Sequence, residues 1–256
     1  MNPVKKLMMS IDRRYLGNLF ERAQENQKLN SFESGLDYKF TTYYSKNMTD
    51  DIAQLCDLYG SDKGEIKSKG HPYTWPSHTY ADYYSHLFFH HRNDIKKVFE
   101  CGLGTNNPKL LSSMGINGKP GASLRVWRDY FPNAIIYGAD IDRDVLFEDD
   151  RIKTFYMDQL SQQSIQEYWQ IVGEDNFDLM LDDGLHTFEA GSSLFNNSIE
   201  KLSKFGTYVI EDVLFEDLCR YKDFFSNTPY IVSYIVLDRP NLPLRDNNLV
   251  VIRKSK

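Results

Sequence analysis

At 256 residues, with 41% hydrophobic and 26% charged side chains, the chain is long enough to bury a sizeable core and has the composition of a folded globular protein. Its net charge of −6 argues against a general nucleic-acid binder, which needs a basic face to neutralise phosphates. No apolar run approaches the roughly 20 residues that cross a bilayer, so no membrane span is expected.

The N-terminal stretch MNPVKKLMMSIDRRYLGNLF flanks a short apolar run with basic residues. It lacks both a long apolar core and a small-residue cleavage site, so it does not read as a signal peptide. Cys56, Cys101 and Cys219 are odd in number and widely spaced. They fit neither a disulfide framework nor a zinc site, and point to a reducing, cytoplasmic setting. Residues 1–95 read as an N-terminal helical and aromatic cap, with His71-Pro72-Tyr73-Thr74-Trp75-Pro76 leading into Tyr80, Tyr83, Tyr84, Phe88 and Phe89.

From residue 96 to 256 the rhythm changes, and this part reads as a separate ligand-binding domain. Short apolar runs begin at Lys96 (KKVFECG), Ala134 (AIIYGAD), Ile152 (IKTFYMD), Phe177 (FDLMLDD) and Gly206 (GTYVIED). Between them lie the helical stretches SLRVWRDYF, SIQEYWQIV and EAGSSLFNNSIEKLSKF. Strands alternating with helices predict a parallel sheet covered on both faces. YIVSYIVL from Tyr230 and NLVVIRK from Asn248 are joined by a loop too short for a crossover helix, so they should pair antiparallel. The expected fold is α/β: a Rossmann-like, seven-stranded, mostly parallel sheet with an antiparallel C-terminal hairpin, the layout of class I methyltransferases.

In such a sheet ligands bind beyond the carboxyl ends of the strands. The first strand runs into Glu100-Cys101-Gly102-Leu103-Gly104, glycines that let a ligand approach the backbone. Asn107 stands where a dinucleotide fingerprint needs its third glycine, which weakens a nicotinamide or flavin reading. Asp140 at the next strand end is the candidate for ribose hydroxyls; Asp142 could serve instead or cap a helix. Asp158 and Gln159 after the third strand could face an adenine amino group, and Asp158 could equally be a cap. Ser123 opens a helix whose free N–H groups could hold a carboxylate. The long Asn106–Ala122 loop before it has the length of a functional or mobile segment.

The fourth and fifth strands end in Leu181-Asp182-Asp183-Gly184-Leu185-His186 and Val209-Ile210-Glu211-Asp212. Four carboxylates and an imidazole at one edge repel unless a cation sits among them, and oxygen donors favour Mg²⁺, Mn²⁺ or Ca²⁺ over zinc. Asp183, Glu211 and Asp212 are the candidate ligands, and His186 is the candidate base for an acidified hydroxyl.

Taken together, YGSDKG (Tyr59 to Gly64), HPYTW (His71 to Trp75), FECGLGTNNP, GKPGASLRVWRDYFPNA, IYGADID, RIKTFYMDQ, FDLMLDDGLH and YVIED resemble the metal-dependent sugar O-methyltransferases that modify macrolides. They also resemble a wider group of bacterial methyltransferases encoded with polysaccharide and antibiotic genes. The resemblance runs from Leu55 to Asp212. It implies S-adenosylmethionine together with Mg²⁺ or Mn²⁺ as cofactors, Asp183 with Glu211 and Asp212 on the metal, His186 as base, and Asp182 nearer the cofactor's methionine end. Lys63, His71, Tyr73 and Tyr80 are expected to fold over the pocket and meet cofactor or acceptor. Leu185 stands where macrolide relatives often carry serine. The implied acceptor is a small molecule: a sugar, a nucleotide-linked sugar or a phosphorylated precursor of a surface glycan such as a capsule, or of a secondary metabolite. Residues 1–50 lie outside the resemblance and could serve homo-oligomer contacts. Three readings compete with it: a methyltransferase without metal, a nicotinamide-dependent oxidoreductase, and a non-catalytic binding protein on the same fold.

Overall fold

The computed structural model describes residues 39–43, 50–67, 69–238 and 244–255. The oligomer contacts expected of residues 1–50 fall almost wholly outside them. The chain divides between Lys39 and Phe40, and all that follows, apart from Lys39 at the start of the first strand, belongs to the compact unit that begins at Phe40.

Among the described residues there are nine strands: β1 (Lys39–Tyr43), β2 (Lys97–Cys101), β3 (Ile135–Asp140), β4 (Glu148–Asp149), β5 (Ile152–Tyr156), β6 (Phe177–Asp182), β7 (Leu202–Ile210), β8 (Tyr230–Asp238) and β9 (Asn248–Lys254). The α-helices among the described residues are α1 (Asp51–Tyr59), α2 (Tyr80–Phe88), α3 (Ala122–Tyr130), α4 (Gln162–Val172), α5 (Phe188–Ser198) and α6 (Phe215–Phe225). The sheet order is β1-β8-β9-β7-β6-β2-β3-β5-β4. Strands β5, β3, β2, β6 and β7 run parallel, and β9 is inserted antiparallel between β7 and β8. The seven expected strands are therefore all present, with the terminal pair in register from Tyr230↔Lys254 to Val236↔Asn248. Two short strands, β1 and β4, extend the edges.

Local chemistry explains the helix limits. The Asp50 side chain accepts from the Ala53 N–H to start α1, and Gly60, at φ 83°, ends it in the left-handed conformation that glycine adopts freely. Ser161 and Thr187 cap α4 and α5 in the same way, and Gly173 closes α4. One expectation needs correction. The stretch EAGSSLFNNSIEKLSKF reads as a single helix, yet α5 stops at Ser198, a 3₁₀ turn follows, and β7 already begins at Leu202. Leu202 pairs with Phe177, and the register shifts before Leu179↔Thr207, so the strand bends and reaches further back than its apolar run. Helix α6, FEDLCRYKDFF, lies outside the stretches the sequence reading takes as helical, although its buried Leu218, Tyr221 and Phe225 keep helical spacing.

Side chains alternate across a strand, and this decides what lies above and below the sheet. Val98, Leu179, Leu181 and Val209 face the layer built from α1, α2 and α3, where they join Ile52, Tyr80, Tyr84 and Trp127 in one buried cluster. Phe99 points the other way, against Trp169 at 4.8 Å and Phe177. Each of these buried side chains contributes roughly 1.5–3 kcal/mol. Helices α1 and α2, which lie in the expected N-terminal cap segment, pack in one core with the sheet.

Candidate active site

Continuing the same alternation past the strand ends positions the site. Glu100 follows Val98, Asp183 follows Leu181 and Glu211 follows Val209. Each acid therefore points to the α1–α2 face at the carboxyl end of one of three adjacent strands. Asp182 points to the opposite face. Beyond these ends lies a cavity of about 380 Å³, lined from β2 (Gly102), β3 (Asp140), β5 (Asp158), β6 (Asp183) and β7 (Asp212). Its place is the one where doubly wound sheets bind ligands, and its size suits a small molecule.

The expected cofactor residues divide between lining the cavity and building it. Gly102, Gly104, Ser123, Asp140, Asp158 and Gln159 all reach its wall. Gly102 and Gly104 hold φ of 97° and 77°. A β-carbon on Gly102 would overlap the Asp183 carbonyl, so this glycine serves a strand–strand approach as well as any ligand. Asp140 accepts from the Leu103 N–H at 2.7 Å and the Asp142 N–H at 2.8 Å, which fixes the glycine turn; burial pushes its carboxyl up. Asp142 is off the cavity wall. It takes the alternative role, capping the 3₁₀ turn Arg143–Val145 and accepting from the Thr105 hydroxyl. Gln159 donates to Asp182 at 2.6 Å and accepts from the Leu185 N–H at 3.0 Å, so it braces the Asp182–Leu185 turn. Asp158 accepts from the Leu160 N–H, a local turn contact.

Two assignments are corrected by the alternation. Glu100 does not reach the cavity wall; it is buried beneath, accepting from the Trp127 indole N–H at 2.6 Å and lying 3.3 Å from the Lys63 ammonium. Asp182 faces α5, where burial raises its carboxyl to about 6 and a separate small recess adjoins it. The helix at Ser123 starts one residue earlier, with Gly121 as its cap.

The acid cluster is organised around two cations. The Lys63 ammonium is buried, 2.7 Å from Asp183 Oδ2, in contact with Glu211 and near Glu100. Burial opposes its charge, but the three carboxylates outweigh that and hold its pKa well above the usual lysine range. On the outer side His186 lies between Asp183 Oδ1 (3.3 Å) and Asp212 Oδ2 (3.4 Å). Here too the carboxylates outweigh desolvation, and the imidazole is pushed up to about 10. Desolvation raises Asp183 while Lys63 and His186 pull it lower, and the cations win. Burial raises Glu211 despite the neighbouring Lys63. His186 and Asp212 adopt positive φ, 57° and 52°. Such backbone is uncommon outside glycine and gathers at functional sites.

Among the described residues, oxygen and nitrogen atoms suited to a metal converge in two groups that share Asp183: Asp183–His186–Asp212, facing the cavity, and Glu100–Asp183–Glu211, around Lys63. The expected trio Asp183–Glu211–Asp212 is thus not one group in this arrangement. Two carboxylates and an imidazole still offer the donor chemistry of a divalent cation site.

Of the upstream candidates, Lys63 enters the centre of the site and Tyr73 lines the cavity, its hydroxyl 2.6 Å from Ser77. Tyr80 supports from behind, its hydroxyl 2.8 Å from Asp212 Oδ1 and accepting from the Asp212 N–H. His71 is off the wall, bonded to the Lys67 carbonyl and stacked on Tyr73. The sequence reading missed His78, Asp62, Trp75 and Asp246 on the far wall of the cavity. His78 is buried, yet Asp212, Asp246 and Asp62 outweigh that burial and hold it up to about 9. Trp75 donates to Asp62 at 2.5 Å. Their signal was the density of polar and aromatic residues in SDKG and HPYTWPSH, which spacing alone does not place at a sheet edge.

The sheet order, with one strand inserted antiparallel at the C-terminal side, defines the class: a Rossmann-like methyltransferase fold. The MycE methyltransferase of the mycinamycin pathway, solved with Mg and SAH, superposes with a TM-score of 0.58 at 22% identity, covering 80% of this chain and 55% of that one. No protein-family profile matches the sequence. In sequence the chain is 30% identical over 176 residues to demethylmacrocin O-methyltransferase of Streptomyces fradiae, covering 67% of this chain and 42% of that protein. It is 28% identical over 162 residues to the 8-demethyl-8-alpha-L-rhamnosyl tetracenomycin-C 2'-O-methyltransferase of Streptomyces olivaceus, covering 63% and 37%. Mycinamicin VI 2''-O-methyltransferase of Micromonospora griseorubida is 29% identical over 159 residues, covering 60% and 37%. The chain spans less than half the length of these curated relatives.

Proposed function

We propose that this chain is an S-adenosylmethionine-dependent O-methyltransferase acting on a sugar hydroxyl, assisted by Mg²⁺ or Mn²⁺. The observation that carries the reading is the meeting of Asp183, His186 and Asp212 at one wall of a cavity whose adjoining wall is the Gly102–Gly104 turn. The similarity to sugar O-methyltransferases supports it. Matched relatives are named for rhamnosyl and olivosyl substrates, which favours a glycoside of a secondary metabolite over a surface-glycan or capsule precursor as the acceptor. A cytoplasmic site of action suits the free thiols of Cys56, Cys101 and Cys219.

In this reading the glycine turn and Asp140 hold the cofactor's nucleoside, and Ser123 at the start of α3 lies toward its amino-acid end. Asp183 and Asp212 are the candidate ligands facing the cavity, and Glu211 would join them by turning from Lys63. A divalent cation bound there would neutralise these carboxylates and acidify an acceptor hydroxyl. With Asp183 and Asp212 so neutralised, His186 would lose the proton these carboxylates hold on it and be free to take the hydroxyl proton as the oxygen attacks the methyl carbon; the S–CH₃ bond breaks and the O–CH₃ bond forms. Alignment along one cavity supplies much of the rate. Tyr80 and His78 hold Asp212 in place.

His186→Ala tests the assignment. Transfer of labelled methyl to a rhamnosyl acceptor is expected to fall by about 100-fold or more. Calorimetric affinity for S-adenosylhomocysteine should stay within about threefold, since His186 is not on the glycine-turn side. Loss of both together, or of neither, overturns the base role. Absence of cofactor binding by the unmodified protein overturns the reading as a whole.

A further inference from the structure

The far wall of the cavity is built from three segments tied to one another. The His78 N–H donates to the Asp62 carbonyl at 2.8 Å, and the Thr79 N–H donates to Asn247 Oδ1 at 3.1 Å. The Tyr80 ring stacks on the His78 imidazole at 4.7 Å, and its hydroxyl lies 2.9 Å from the Asp246 carbonyl and 2.8 Å from Asp212 Oδ1. The wall is thereby fixed to the acid edge. His78 Nε2 stands 3.7 Å from Asp212 Oδ1 and 3.5 Å from Asp246 Oδ1, and its Nδ1 stands 4.0 Å from Asp62 Oδ2. One imidazole therefore separates Asp212 from each of two further carboxylates. Trp75 is held beside them: its indole N–H donates to Asp62 at 2.5 Å, and the Tyr73 ring packs on it at 5.5 Å. The Asp62 and Asp246 side chains remain 29% and 42% exposed, and both line the cavity.

We propose that Asp62, Trp75 and Asp246 form the acceptor subsite, which takes an uncharged glycosyl ring and turns away sugar phosphates and nucleotide-linked sugars. This rests on the proposed activity and names the residues that choose its acceptor. A sugar ring is complementary to such a wall. Its C–H face covers the Trp75 indole, and hydroxyls beside the reacting one donate to Asp62 and Asp246, in charge-assisted bonds stronger than neutral ones. A hydroxyl delivered to Asp183 and Asp212 has its ring neighbours within reach of both acids, because only His78 intervenes. A phosphate in the same place meets two carboxylates and no basic side chain free to pair with it. His78 and His186 are each already flanked by carboxylates. Lys119, which also lines the cavity, belongs to the loop that returns to Leu103 through Gly121. Unpaired like charge is one way in which a site rejects a competitor.

Trp75 is also the reporter. Trp127 and Trp169, the other two tryptophans, are 0% and 5% exposed, so a ligand on this wall acts on the emission of Trp75. The probes are methyl α-L-rhamnoside and rhamnose 1-phosphate, the same ring without and with a phosphate, titrated in chelator so that no metal bridges the phosphate. The glycoside should shift the emission saturably, and the phosphate should bind about tenfold more weakly. Asp62→Asn keeps an oxygen for the Trp75 N–H, and Asp246→Asn alters a half-exposed side chain, so both variants should fold. Each should weaken the glycoside several-fold, and together they should bring the two affinities within about threefold. With Mg²⁺ restored, Trp75→Ala should raise KM for the rhamnoside about tenfold in methyl transfer, with kcat and affinity for S-adenosylhomocysteine each within about threefold. Equal affinity of the two probes for the unmodified chain, no saturable change in emission with the glycoside, or an unchanged KM in all three variants overturns the proposal. Methyl transfer that persists with unchanged KM removes this wall from the reaction and leaves the methyltransferase reading in place. Absence of cofactor binding beside a saturable Trp75 response removes that reading and leaves the wall as a sugar site.

Discussion

Gly102 joins two demands at one residue. Its φ of 97° lies in the left-handed region, where an L side chain costs about 1–2 kcal/mol. Its α-carbon also faces the Asp183 carbonyl so closely that a methyl group has no place. Gly173, the cap that ends α4, shares a positive φ of 65° but has open space around its missing side chain. Gly173→Ala should therefore lose only the conformational term. Gly102→Ala should lose more, roughly 3 kcal/mol or above once β2 and β6 are forced apart, and should weaken S-adenosylhomocysteine binding because Asp183 moves with its carbonyl. Denaturant midpoints of the two variants decide this; equal losses would mean that the strand approach is not tight.

At the scale of elements, α2 carries an ionisable group at odds with its surroundings. Asp82 sits in the first turn of α2, half-buried, and burial raises its carboxyl to about 6. Because the folded pKa lies above the unfolded one, ionisation works against the fold. The cost is complete above about pH 6, and it fades as pH falls toward the ordinary carboxylate range. Asp82→Asn should then stabilise the chain at pH 8 by about 1 kcal/mol after allowing for solvent screening and the lost helix-dipole interaction. The gain should shrink toward nothing near pH 4. A gain that is independent of pH would place the effect elsewhere than in the charge.

The same helix shows what the sequence carried and what it hid. The five parallel strands were legible because short β-branched or aromatic runs ending in Gly or Asp alternate with helical stretches, and the terminal pair because a short loop joins two apolar runs. The placing of Asp183, His186 and Asp212 at one edge followed from strand order alone. Glu100 was misassigned as a cavity residue, although period-2 counting from Val98 puts it beneath the cavity with Lys63 and Trp127. Asp182 and Asp183 are separated by the same counting, to opposite faces. What no pattern could give was the partner of the inner acids: Lys63 is 120 residues from Asp183, and its reach depends on the turn after Gly60 and the docking of α2. His78, Trp75 and Asp246 were hidden for the same reason, being brought to the cavity by packing between segments distant in sequence.

At the scale of the whole molecule, the sheet spreads two tasks over neighbouring strands. The ends of β2, β3 and β5 form the glycine-turn side, built on backbone N–H groups held by Asp140. The ends of β6 and β7 form the acid side, where charge is balanced by Lys63 and His186. The two sides share one cavity but few side chains, with Asp183 at the seam beside Gly102. If each side does its own work, removing divalent cations should disable the chemistry and spare the cofactor. Treatment with EDTA is expected to abolish methyl transfer to a glycoside and to leave calorimetric affinity for S-adenosylhomocysteine within about threefold. Added Mn²⁺ should restore turnover. Parallel loss of cofactor binding would mean that the cation organises the whole cavity and not one edge of it. Turnover that survives chelation would give the reaction to His186 and the acids alone, with the Lys63 ammonium as the counter-ion of the site.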